Sequence, residues 1–265
     1  MRNLLKADFY KIVRSLTFWI CLAVGLVMAV LMVVGLHAAM NRALESGRPD
    51  REAAAMAAMA QAASGTWSLT QFLPTNFDLI LAAVFVAVFV TSEFSYGTVK
   101  NMLSRGAKRW QVFTSKLVVC ALASVAILFA FSATLVIAGS IAWGLDPQGV
   151  VSAGAFVQLI ATQTLLAIVF AALFVFFAMT IRSGGGAIAT NIVAVMMASY
   201  LFSALNLLVG SKIDLTQYWL TTVISNLATY TPAGADITRG LIVAVVWGVA
   251  AVAGGIVVFN KRDVK

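Results

Sequence analysis

Any chemistry performed by this chain would have to come from very few side chains. His37 is the one histidine, and Cys21 and Cys120 are the only cysteines. A single imidazole excludes an H-E-x-x-H zinc site, and two thiols inside apolar runs read as buried apolar groups, not as a disulfide framework or metal cluster. No G-x-S-x-G nucleophile elbow and no G-x-x-x-x-G-K-[ST] phosphate loop occurs. The chain is therefore expected to have no catalytic residues, to bind no metal or cofactor and not to be an enzyme. If ATP powers it, ATP and Mg sit on a separate partner subunit.

The polar residues that remain fall into two groups. Gln158, Thr162, Gln163, Thr164, Asn191 and Asn206 lie inside apolar runs. Interhelical hydrogen bonding is the favoured reading of these, with Gln158, Thr162, Asn191 and Asn206 kept as candidate substrate-path residues. The second group is the segment 92–116, SEFSYGTVKNMLSRGAKRWQVFTSK, which holds far more polar and charged surface than a connection requires. A helix beginning beyond Gly97 would put Val99, Met102 and Leu103 on one side and Lys100 and Arg105 on another. Such a face suits a soluble partner as well as it suits a solvated loop.

The elements that must position these residues follow from composition. Of 265 residues 62% are hydrophobic and 11% charged, against roughly 25% charged in a soluble domain. Uncharged runs cover 18–36, 117–145, 148–181, 183–211 and 240–260, each long enough to cross a bilayer as helix. A shorter run, 79–92, spans if Asp78 and Glu93 each sit near water at opposite headgroup levels. The expectation is an all-α polytopic membrane protein with six transmembrane helices. No internal repeat is visible, and none of the runs carries an ionisable residue away from its ends, which disfavours a coupled secondary carrier. No acid and base pair can be assigned to one membrane face either.

The formal charge of +8 would raise nucleic acid as a partner, but the basic residues lie at the ends of apolar runs, where they suit lipid headgroups. Thirteen of the 18 lysines and arginines fall on one side of the expected topology, so both termini are expected in the cytoplasm. Residues 1–16 form an amphipathic surface helix, with Leu5, Phe9, Ile12 and Leu16 apart from Lys6, Lys11 and Arg14. Residues 37–76 are an external loop with a helix-forming tract over 51–63. In the external stretch 210–239, Tyr218, Trp219 and Tyr230 suit a membrane interface. The triple glycine 184–186 is expected to form a tight turn, and Ala244 with Gly248 and Ala251 with Gly255 to allow close helix contact.

The run Glu93, Gly97, Thr98 and Lys100, an E-x-x-x-G-T-x-K pattern followed by Gly106, Lys108, Arg109 and Lys116, resembles the first cytoplasmic loop of type-2 ABC exporter permeases, particularly the bacitracin and lantibiotic immunity kind. The amino-terminal LLKADFYKIVRS before a span, and the terminal FNKRDVK, are similar to the ends of the same permeases. The resemblance implies a single transmembrane permease domain over 1–265, with a coupling segment at 92–116. It implies that Glu93, Gly97, Thr98, Lys100, Arg105, Lys108 and Arg109 form the interface with an ABC ATP-binding subunit. It further implies a second permease chain, identical or related, a bacterial plasma membrane, and outward movement of an antimicrobial peptide, drug or lipid-like substrate. The long first external loop departs from the family pattern. An ATP-independent carrier or channel, or a membrane anchor protein, is the alternative.

Overall fold

Leucine, valine, alanine and phenylalanine in uninterrupted runs leave the backbone one way to satisfy its N–H and C=O groups within a bilayer, which is the helix. A computed structural model describes residues 2–46, 51–104, 106, 108–147, 149, 151–209 and 214–261. Among them there is no β-strand. An amino-terminal helix α1 (Arg2–Arg14) is followed by α2 (Leu16–Ser46), α3 (Arg51–Ala62) and α4 (Trp67–Phe72). Then come α5 (Phe77–Ser95), α6 (Thr98–Ser104), α7 (Arg109–Trp143) and α8 (Ala153–Ile181). The chain ends with α9 (Gly184–Met196), α10 (Ala198–Val209), α11 (Leu220–Leu227) and α12 (Gly234–Lys261). Helices α2, α5, α7, α8 and α12 are each long and apolar enough to cross a membrane, and α9 with α10 forms a bent pair. This is a multi-pass membrane protein.

The shortest of these helices is the central one. At about 1.5 Å per residue the 19 residues of α5 reach only about 28 Å, just the thickness of the hydrocarbon layer. Its apolar stretch is 67% buried, against 22% for α2 and for α12, and it packs on α2, α7, α8 and α9. Phe85 and Phe89 stack within it, and Phe18 of α2 meets Phe85 edge to face. The two acids at its ends are consequently inside protein, not at watery rims as their positions suggest. Asp78 is 5% and Glu93 6% exposed.

Several expectations change in detail. The fifth run is not one straight helix: α9 and α10 meet at Met197 with a bend of 58°. The first span continues past 36 to Ser46, so most of the expected external loop 37–76 is helical. Within it the chain returns to the bundle. Ser68 donates its hydroxyl to Leu135 O at 2.9 Å, and the amide of Gly65 donates to Gly144 O at 2.8 Å. Glycines 184–186 are not a turn but the first turn of α9; Arg182, at φ 59°, makes the reversal instead. Trp219 is not at an interface. It is 5% exposed, stacked on Phe202 and edge to face with Trp247.

On α12, Ala244 and Ala251 are buried, and a Cβ at Gly255 would run into the ring of Phe113 on α7. The small-residue stripe therefore does bring helices into close contact. Cys21 and Cys120 are both free and buried, as expected.

A close backbone approach lies between Gly65 and α7. A Cβ on Gly65 would stand 2.8 Å from Val136 O and 2.9 Å from Ser140 N, where nothing flexible can give way. Gly65→Ala should cost about 2 kcal/mol and lower the melting temperature in detergent by several degrees. Gly35→Ala, where a Cβ meets nothing within 4 Å, should leave it unchanged or higher.

Candidate functional site

The end of the bundle that holds α1, α6 and the start of α7 gathers most of the ionisable groups that are buried. Leu5, Asp8 and Ile12 recur along α1 at spacings that put them on one helical face, and that face packs on α7. The inward stripe of α1 is thus Leu5, Asp8 and Ile12. Phe9 and Leu16, expected on the apolar face, are 55% and 74% exposed.

Asp8, buried on that face, needs a partner, and α7 supplies it about two turns from its start. Lys116 Nζ donates to Asp8 Oδ1 and to Glu93 Oε1, both at 2.6 Å. The neighbouring Ser115 hydroxyl donates to Asp8 Oδ2 at 2.6 Å. Lys11, on the outer side of α1, donates to Glu93 Oε1 at 2.9 Å. The ring of Phe89 lies 4.9 Å from the Lys116 ammonium, adding a cation–π contact. Two ammonium groups and two carboxylates sum to zero charge, the condition under which burial is tolerable. Lys116 is 1%, Asp8 2% and Glu93 6% exposed.

Although the sequence assigns no acid and base pair to one membrane face, four ionisable groups, Asp8, Lys11, Glu93 and Lys116, meet here. Lys116 is closed off and tied to both carboxylates, while Glu93 Oε2 is buried without a hydrogen-bond partner. What the network does is tie α1, the end of α5 and the start of α7 into one unit.

The rest of the E-x-x-x-G-T pattern has a physical role in the same place. Gly97 turns the chain out of α5 at φ 67°, a left-handed conformation natural to glycine. Thr98 Oγ1 donates to the Glu93 carbonyl at 2.9 Å, fastening the first residue of α6 to the last turn of α5. On α6, Val99 is 1% exposed and Met102 and Leu103 pack on the core, while Lys100 points outward. Lys108 is exposed, and its amide donates to Gln111 Oε1 at 3.2 Å, opening α7.

Arg109 is turned to another task. Its Nη1 donates to Phe259 O and Asn260 O at 3.1 Å, among the last carbonyls of α12, where a cation is also favoured by the helix dipole. Arg105 lies outside the described residues. The Arg182 guanidinium lies 5.4 Å from the Phe94 ring, so the end of α8 joins the same assembly.

The four candidate substrate-path residues separate. Asn191 is fully buried and donates to Ala83 O of α5 at 3.2 Å, and Gln163 reaches Ile224 O at 3.3 Å. Both are interhelical bonds. Thr162 bonds back to carbonyls of its own helix, those of Gln158 and Leu159. Gln158 is exposed. Asn206 closes the connection beyond α10: its Nδ2 donates to Asp214 Oδ1 at 2.6 Å and its Oδ1 accepts the Leu215 amide at 2.9 Å. None of the four lines an open cavity of about 620 Å³ beside the α9–α10 break. Met197, Tyr200, Asn76 and Thr222 line it, and sequence reasoning missed them because a helix break cannot be read from an unbroken apolar run.

An all-helical bundle with several membrane-crossing helices and a charged, internally paired end defines a multi-pass membrane protein. The chain belongs to the family described as a protein of unknown function (DUF2705), whose match covers residues 30–265. Glu93 and Lys116 fall within that match, and Asp8 and Lys11 precede it. No curated protein matches the chain.

Two outcomes follow from these geometries. Lys116→Met leaves two buried carboxylates facing each other and should destabilise the protein by about 3–5 kcal/mol in a detergent melt. Adding Asp8→Asn and Glu93→Gln should recover most of that loss. The second concerns Asp214, which is exposed. The hydroxyl and then the amide of Thr216 hold its carboxyl below the ordinary aspartate value. A lowered carboxyl stabilises its segment above the unfolded-state value and loses that contribution as pH falls through the folded one. NMR titration should find Asp214 ionised below the usual aspartate midpoint, and Thr216→Ala should move the midpoint up.

Proposed function

We propose that this chain is the membrane-embedded permease subunit of an ATP-binding cassette exporter, with ATP hydrolysed on a separate ABC subunit. The observation that carries the reading is the Lys116 network: α1 and the Gly97–Thr98 turn into α6 are fastened to the ends of two crossing helices. A push on α1 or α6 from outside the bilayer is thereby delivered to α5 and α7. Ion pairs and close packing transmit such a push because they have discrete arrangements; differential contacts in two states must supply the energy.

The α9–α10 pair counts here as one crossing, giving six spans with both termini in the cytoplasm of a bacterial cell, on the positive-inside bias. In that topology Lys100, Lys108, Tyr96 and Trp110 are exposed on the cytoplasmic face and available to a soluble partner. Arg109 is reassigned from this surface to holding the end of α12. Helices α2 and α12 keep wide apolar faces, suited to lipid and to a second permease chain, identical or related. The open cavity at the α9–α10 break lies toward the outer side and carries hydroxyl, amide and thioether groups without a formal charge. It suits release of an amphipathic molecule such as an antimicrobial peptide, a drug or a lipid-like compound. The same broken helix is the feature that would favour an ATP-independent carrier.

Affinity purification of the tagged chain from gently solubilised native membranes should recover a stoichiometric subunit with a phosphate-loop ATPase sequence. Reversing charge at Lys100 and Lys108 should reduce its recovery at least several-fold while the permease remains inserted and folded. Consistent absence of an ATPase with the intact chain would replace the exporter by the carrier or an anchor.

A further inference from the structure

The outer flank of α1 is not packed on protein. Phe9, Tyr10 and Val13 are 55%, 57% and 47% exposed, and Val118 and Leu122 on the adjoining surface of α7 are 40% and 54% exposed. Between the two helices runs an open groove of about 590 Å³, lined almost wholly by hydrocarbon from these residues and Leu5, with Lys6 the one charged lining residue among the described side chains. Water would be a poor occupant of a groove with that lining.

The charges around it have one sign. Asp8, the acid of α1, is turned inward and held by Lys116 and Ser115. Lys6, Lys11 and Arg14 are exposed, and the Arg14 guanidinium lies 4.6 Å over the Tyr10 ring. The outward charge of this helix is therefore wholly basic over its described side chains, beside an apolar slot at the membrane surface. We infer that the α1–α7 groove is a binding site for one anionic phospholipid, its acyl chain seated against Phe9, Val13, Val118 and Leu122 and its phosphate met by Lys6. Hydrocarbon burial supplies the affinity and the lysine the headgroup preference. The inference does not depend on the exporter reading, since it concerns how α1 is anchored. A lipid in this slot lies against the outer flank of the helix whose inner face carries Asp8, so it holds α1 down on the ion network.

Native mass spectrometry of the detergent-purified full chain, offered phosphatidylglycerol and phosphatidylcholine of matched acyl chains, tests this directly. One phosphatidylglycerol should be retained per chain, with phosphatidylcholine held about fivefold less well, the preference that one surface lysine brings. Val118→Trp with Leu122→Trp fills the groove from its lipid-exposed side and should abolish retention without lowering the melting temperature. Lys6→Gln should remove the preference and keep equal, weak binding of both lipids. Equal retention of the two lipids by the unaltered chain, or full retention by either the groove-filled protein or Lys6→Gln, would overturn the assignment.

Discussion

A lysine ammonium held between two carboxylates at the end of a bilayer-spanning bundle is the constraint around which this structure is arranged. Neither Asp8 nor Glu93 could be buried without Lys116, and Lys116 could not sit at 1% exposure without them. Each member comes from a different element, so the three elements must arrive together. Geometry adds to this: both bonds from Lys116 are 2.6 Å, and Ser115 fills the other oxygen of Asp8. The resulting joint is stiff for reasons of electrostatics, not of packing volume. The Gly97 turn and the Thr98 bond then determine where α6 emerges relative to it.

The location of the charges explains a contrast within the bundle. The central helix α5 is the shortest crossing helix and the most buried, and it carries an acid near each end. Asp78 sits in the first turn, where the helix dipole favours a negative charge. Glu93 sits in the last turn, where the dipole opposes it, and there Lys116 and Lys11 are required. A buried acid at the C-terminal end of a helix thus accounts for the need for two lysines at one end of α5 and none bonded at the other.

Much of the architecture was legible because bilayer length and charge bias act on whole runs of residues. The crossing helices, the helix after Gly97 and the helix over 51–62 all follow from apolar length or local composition. The break at Met197 was not legible: 183–211 holds neither proline nor charge to mark a 58° bend. The extent of α2 was missed because His37, Asn41 and Arg42 look like a loop to a hydropathy argument, although His37 packs against Trp143 and bonds Asn41 within the helix. For the site, the E-x-x-x-G-T pattern drew attention to the right segment, but Glu93 was read as a surface residue and Lys116 as a loop cation. The signal that could have corrected this was Asp8, an acid three residues after Leu5 and four before Ile12 on an inward stripe. A buried aspartate implies a buried cation, and Lys116, directly before the apolar run 117–145, is one of the cations that adjoin such a run.

Arg109 bears on how that end of the molecule moves. It begins α7 and holds the last carbonyls of α12, while seven residues later Lys116 holds α1 and α5. The first two turns of α7 therefore grip three other elements through charged groups, two of them amino-acid side chains and one a helix terminus. A rotation of α7 about its axis would strain both grips at once, whereas a tilt that carries α1, the end of α5 and the end of α12 along with α7 would strain neither. The bonds at this end favour motion as a block, whereas the bent α9–α10 pair at Met197 lies outside these grips.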